Sequence, residues 1–114
     1  MLTPLELDIM KAVWDRPGTT VREVQEAIRP QRPLAYTTVM TIMDRLYHKG
    51  FLTRALRSRT HYYEPTIDYT EVRAEAVEKL IQSFFGSKEK LKEFLDGHTI
   101  EFAPTTPQLD ETLL

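Results

Sequence analysis

The sequence predicts a mainly α fold with a small β-hairpin: a winged helix-turn-helix followed by a C-terminal helical dimerisation segment. Three observations lead there. Two capping boxes, Thr3 with Glu6 and Thr20 with Glu23, open two short helices early in the chain. A longer helical stretch then divides sharply into an apolar and a polar face. After Gly50 the periodicity changes to β-branched, aromatic and apolar runs around a basic tip.

The first helix has Thr3 as its cap, Pro4 at the first helical position, and Leu2 and Leu7 at the positions of a hydrophobic staple. Leu5, Ile9, Ala12 and Val13 fall on one side, and Leu7, Met10 and Trp14 on the other, so both sides are expected to be covered. Pro17-Gly18 ends it. Val21, Val24 and Ile28 form the buried stripe of the second helix, which Pro30 stops, and Pro33 keeps the connection out of the helical region. A third helix is expected from about Ala35 to Lys49, closed by Gly50. At about 100° per residue Val39, Ile42, Met43 and Leu46 share one arc, opposite Thr37, Thr38, Thr41, Asp44, Arg45 and His48. Phe51 to Leu56 and Thr60 to Tyr63 then read as a hairpin with Arg57-Ser58-Arg59 at its tip, ended by Pro65.

From about Asp68 a fourth helix carries Val72, Ala76, Val77, Leu80, Ile81, Phe84 and Phe85 and ends at Gly86. Ser87 caps a short fifth helix with Leu91, Phe94 and Leu95, closed by Gly97. The expected organisation is a winged helix-turn-helix domain over 1–66, a helical dimerisation segment over 67–97, and an extended or mobile tail over 98–114.

The net charge of −2 conceals an asymmetry. Up to Pro65 there are ten Lys/Arg and seven Asp/Glu, a balance of +3, whereas the rest of the chain carries −5. Between Arg29 and Arg59 seven basic residues face only Asp44. Phosphates respond to such a local footprint rather than to the whole-chain charge. The absence of cysteine removes disulfides, thiolate catalysis and cysteine metal sites, and is compatible with a reducing cytoplasm. No apolar run approaches the roughly 20 residues of a membrane span, and no signal-peptide layout stands at the N-terminus. A cytoplasmic chain without membrane insertion is therefore expected. His48, His61 and His98 lack metal-ligand spacing, and Glu64, Asp68 and His61 come with no nucleophile or oxyanion hole. Neither a cofactor, a metal nor an enzymatic activity is expected.

In this order of elements the third helix enters a major groove and its early residues meet base edges. Thr37, Thr38 and Thr41 suit such contacts, because a hydroxyl donates or accepts and the methyl packs on thymine. Arg45, one turn further, pairs with a guanine edge or anchors a phosphate; Tyr36 packs, holds a phosphate or reads a base. Arg57 and Arg59 on the wing are expected at phosphate or in the minor groove. The expected pairing surface of a homodimer comprises Val72, Val77, Leu80, Ile81, Phe84, Leu91, Phe94 and Leu95. A winged-helix module that binds only protein is the alternative, since fold does not fix function.

The runs Thr20-Val21-Arg22-Glu23-Val24, Ala35-Tyr36-Thr37-Thr38-Val39-Met40-Thr41-Ile42-Met43-Asp44-Arg45-Leu46 and Lys49-Gly50 resemble the penicillinase and methicillin-resistance repressor family, the BlaI/MecI type. The likeness extends from about Leu2 to Leu95. It implies a dimeric bacterial repressor of palindromic operators with TACA/TGTA-type half-sites, touching DNA through Tyr36, Thr37, Thr38, Thr41 and Arg45, with the wing near Arg59. In antibiotic-responsive members a membrane-sensor pathway leads to cleavage of an Asn-Phe bond in the first dimerisation helix. The matching pair here is Ser83-Phe84, which makes that junction a candidate cleavage point and a regulatory protease or sensor pathway a candidate partner. Copper-responsive relatives carry a cysteine-rich C-terminus, so copper sensing by that route is excluded.

Overall fold

Both capping boxes form. Thr3 Oγ1 accepts the Glu6 amide at 3.1 Å while Glu6 Oε1 accepts the Thr3 amide at 3.0 Å, so α1 begins at Pro4 and runs to Asp15. Thr20 and Glu23 make the same reciprocal pair at the start of α2, Val21–Ile28. The computed structural model describes residues 2–97; the tail expected over 98–114 lies outside the described residues. Helix α3 spans Tyr36–His48 between Ala35 and Lys49 as its caps. Strands β1, Leu52–Arg57, and β2, Thr60–Pro65, pair antiparallel with Leu52 opposite Pro65 and Arg57 opposite Thr60. Helices α4, Tyr69–Leu80, and α5, Lys88–Gly97, follow.

The chain divides into two compact units, the first ending at Arg73 and the second beginning at Ala74. The core of the first unit is built where the periodicities cross. Ile9, Met10 and Val13 of α1 meet Val21, Val24 and Ile28 of α2 and Val39, Ile42, Met43 and Leu46 of α3, with Leu52 and Tyr63 from the hairpin. Burying such side chains is worth roughly 1.5–3 kcal/mol each, enough to overrule the modest helix propensity of Val and Ile. The base of the hairpin is held by the loop before α2: Tyr63 donates its amide to the Thr19 carbonyl at 2.8 Å and accepts from Gly18 at 2.9 Å. Trp14 lies on the other side of α1, donating Nε1–H to the Ile67 carbonyl at 2.8 Å with its ring edge-on to Tyr69. The indole thereby satisfies its polar atom while its body stays half-buried.

Two expectations need correction. The basic tip is narrower than Arg57-Ser58-Arg59, because Arg57 is the last paired residue of β1 and only Ser58 and Arg59 make the turn. Both have positive φ, 50° and 69°, the backbone that a two-residue type I′ turn requires to follow the twist of its strands. The fourth helix is also not uniform to Gly86. It is α-helical to Leu80 and then widens into a π-helical turn over Ile81–Phe85, closed by the Gly86 amide on the Ile81 carbonyl at 2.6 Å. Gly86 adopts the left-handed conformation there, with φ 84°. Within the second unit Ile81 is buried, and the rings of Phe85 and Phe94 lie 5.5 Å apart.

Positive φ at two residues bearing a Cβ is held at a local cost. Replacing both, Ser58→Asn with Arg59→Gly, should raise stability by about 1 kcal/mol, because this pair suits the type I′ turn. Urea unfolding of the double variant checks it; an unchanged midpoint would show that the turn is unstrained.

Candidate nucleic-acid interface

Helix α3 presents the polar arc that its sequence prescribes. Val39, Ile42, Met43 and Leu46 are buried, while Thr37, Thr38, Thr41, Asp44, Arg45 and His48 are all exposed. The three threonines and Arg45 line a shallow groove with Leu5 and Ile42 on the α1 side. Tyr36 lies on the other side of the helix, 41% exposed, under the Arg22 guanidinium at 5.6 Å from its ring centre. Unlike α1 and α2, this helix has no side chain capping its first turn, because Ala35 occupies the cap position. The leading amides of α3 are therefore left without a side-chain acceptor on the same end that carries the threonines.

Arg45 is held from below. The Glu6 carboxylate is 1% exposed and accepts from the Thr3 amide, from Lys49 Nζ at 3.0 Å and from Arg45 Nη1 at 3.5 Å. Burial by itself would raise the carboxyl's pKa, but the hydrogen bonds from Thr3, Lys49 and Arg45 outweigh it and hold the group below its ordinary value. The Arg45 side chain is still 52% exposed, and one contact leaves most of its five donors available. Sequence reasoning placed Glu6 in a cap only; its reach to α3 comes from packing α1 across that helix.

A second cluster joins α3 to the wing. Arg54 Nη1 donates to Asp44 Oδ1 at 2.9 Å, and its guanidinium stacks 4.0 Å over the Tyr47 ring. The hydrogen bond to Asp44 is the main reason that Arg54 holds its proton more tightly than usual. Arg54 counted in the sequence only toward local charge, and its positioning role had no local signal. Of the two wing arginines, Arg59 lines the cleft with Thr20, Arg22, Tyr36 and Met40. Arg57 instead stacks 4.5 Å over Tyr62, alternate to the register positions of the buried Leu52 and Tyr63. The structure therefore brings Tyr36 and Arg59 together in one cleft and sets Arg57 apart. Among the described residues no group of His, Cys, Asp or Glu has the arrangement of a metal site.

Three helices, the third with an exposed hydroxyl-and-guanidinium face, and a hairpin pinned beside it define a winged helix-turn-helix protein. The chain belongs to the penicillinase repressor family, whose model matches residues 2–105. The transcriptional regulator BlaI of Mycobacterium tuberculosis is 43% identical over 65 residues, 56% of this chain and 47% of that protein. The chain thus spans about half the length of that relative. The penicillinase repressor of Staphylococcus aureus is 20% identical over 85 residues, covering 75% of this chain and 68% of its own length. Among solved structures, the monomeric form of Bacillus licheniformis BlaI in complex with the blaP half-operator aligns with a TM-score of 0.53 at 27% identity, over 62% of this chain and 87% of that one. A MarR family protein from Bacillus stearothermophilus shares the fold, with a TM-score of 0.54 at 18% identity over 98% of this chain and 75% of its own. No helix among the described residues is long and apolar enough to cross a membrane.

Glu6 ties stability to acidity. Because its folded pKa lies below the ordinary 4.5, its contribution is fully present above that value and is lost as pH falls through the folded value. Glu6→Gln should keep the cap but weaken the contacts to Lys49 and Arg45, costing about 1 kcal/mol at neutral pH. The difference from wild type should shrink as the pH falls below 4.5, followed by thermal unfolding across that range. A constant difference would assign the loss to packing instead.

Proposed function

We propose that the chain is a dimeric, sequence-specific DNA-binding transcriptional repressor acting on a palindromic operator, with no catalytic activity of its own. The observation that carries this is the exposed face of α3, where Thr37, Thr38, Thr41 and Arg45 stand together along one shallow groove. Hydroxyls on the leading half of a helix, with a guanidinium one turn further along, match the donors, acceptors and methyls of major-groove edges. The structural relative bound to the blaP half-operator, a winged-helix protein of the same family type, supports the same partner class. In this arrangement Thr38, Thr41 and Arg45 read bases, Tyr36 and Thr37 flank them, and Arg57 and Arg59 hold the backbone from the wing.

A second copy of the chain is the other proposed partner. In the second unit Val77, Leu80, Phe84, Phe94 and Leu95 are between 37% and 78% exposed, with Phe84 the most exposed of all. Val72 and Leu91 are half-buried, and Ile81 is already buried within the protomer. An apolar surface of this kind is expensive in water and suits pairing with its own symmetry copy. Pairing would place two α3 helices on half-sites about one DNA turn apart. Each half-site alone binds modestly, so loss of pairing empties the operator. Ser83-Phe84 lies inside the π-helical turn, with both residues exposed. We take this junction as the point where proteolysis would release DNA, by cutting the helix within its pairing surface.

Thr41→Ala or Arg45→Ala should lose about 1–3 kcal/mol of binding and relax preference at one operator position, measured across a library of duplexes. Arg59→Ala should instead weaken every duplex alike and lower the salt slope by about one. Binding by Thr41→Ala indistinguishable from wild type across the library would remove the reading role of α3.

For pairing, sedimentation at micromolar concentration should give a dimer for the intact chain and a monomer for Leu80→Asp. Monomeric wild type at that concentration would end the dimer proposal.

A further inference from the structure

Met40 is absent from both faces that the periodicity of α3 assigns. Its side chain is neither core nor polar, and it remains 42% exposed. At about 100° per residue it stands roughly 60° around the helix from Thr37, on the wing side of the reading arc. There it lines the cleft with Arg22, Tyr36, Arg59 and Thr60. The other large hydrophobic side chains that α3 exposes are Tyr36 and Tyr47, and each has a guanidinium over its ring, Arg22 at 5.6 Å and Arg54 at 4.0 Å. Those two aromatics are therefore engaged within the protein. Met40, placed by register between them, exposes a flexible, polarisable thioether chain at the wing-side edge of the face proposed to meet DNA.

Resting on that DNA-binding proposal, we infer that Met40 is a specificity-determining residue that reads the 5-methyl group of a thymine. The chemistry leaves one suitable target. Every other group on a major-groove base edge is a hydrogen-bond donor or acceptor, apart from weakly polar C–H positions. An apolar chain pressed on such groups strips them of water and gives back nothing. The thymine methyl alone gains by being covered with an apolar surface, and an unbranched thioether adapts to it without a fixed rotamer. The preference is thus made of two terms, burial of a methyl at the right base and unpaired polar atoms at the wrong one.

The test uses the full chain and a duplex recovered by selection from a randomised library. Each thymine of one half-site is replaced singly by deoxyuridine, which deletes only the methyl. Wild type should lose about fourfold in affinity at the thymine facing Met40, the worth of one buried methyl group. Met40→Ala should bind the thymine and uracil forms of that position alike, while sensitivities arising from Thr37, Thr38 or Thr41 persist. Met40→Leu, which keeps an apolar side chain, should restore the discrimination; circular dichroism checks that each variant is folded. If Met40→Ala keeps the wild-type uracil sensitivity at every thymine, or if wild type shows none, the role of Met40 is overturned. A chain that enriches no sequence from the library overturns instead the DNA-binding proposal on which this one stands.

Discussion

The carboxylate of Glu6 is the constraint on which the surface proposed to read DNA depends. It is a charged group buried to 1% exposure, and an unpaired charge there would cost several kcal/mol. Three donors prevent that: the Thr3 amide from its own cap, Lys49 from the end of α3, and Arg45 from the polar arc of α3. Displacing α3 along α1 would break two of these at once. The same atom set therefore starts the first helix, fixes the third against it, and aims the guanidinium proposed to read DNA. Apolar packing gives the three helices their proximity; Glu6 gives α1 and α3 a register.

The wing is attached by a different device. Its base is stitched by backbone bonds between Thr19 and Tyr63, and its first strand sends Arg54 onto Asp44 and Tyr47. Arg54 is thus consumed within the protein, although in a count of charges it looks as available as Arg59. Its ion pair has a partly exposed carboxylate and would be weak alone. Stacking on an aromatic face adds directionality that a simple ion pair lacks. Together they set the wing against the C-terminal half of α3, leaving the cleft between Tyr36 and Arg59 on the N-terminal half.

Much of this was legible in sequence, and the reasons are local. Capping boxes act over three residues, and the core stripes of α2 and α3 repeat with the helical period, so α1, α2 and α3 are found where the residues place them. The hairpin was legible in kind, while its tip was read one residue too wide because Arg57 resembles its neighbours in charge, not in pairing. The π-helical turn had no signal: an apolar residue bonded five positions back has nearly the same spacing as one bonded four back. Glu6 and Arg54 were missed as positioning residues for a common reason. Each acts across elements, and periodicity describes one element at a time.

The distribution of caps carries the argument one step further. The chain places a full capping box on both supporting helices and leaves α3 with alanine at its cap, which forgoes about 1 kcal/mol of helix stability. Tertiary packing makes this tolerable, since four side chains of α3 are buried and Glu6 grips its far end through Lys49. A serine or aspartate cap would have occupied the first-turn amides and, for aspartate, set a negative charge beside the helix end proposed to approach DNA. The weaker cap fits the proposal that DNA meets the first turn of α3. Local stability is withheld on the surface proposed to bind, and supplied by the elements around it.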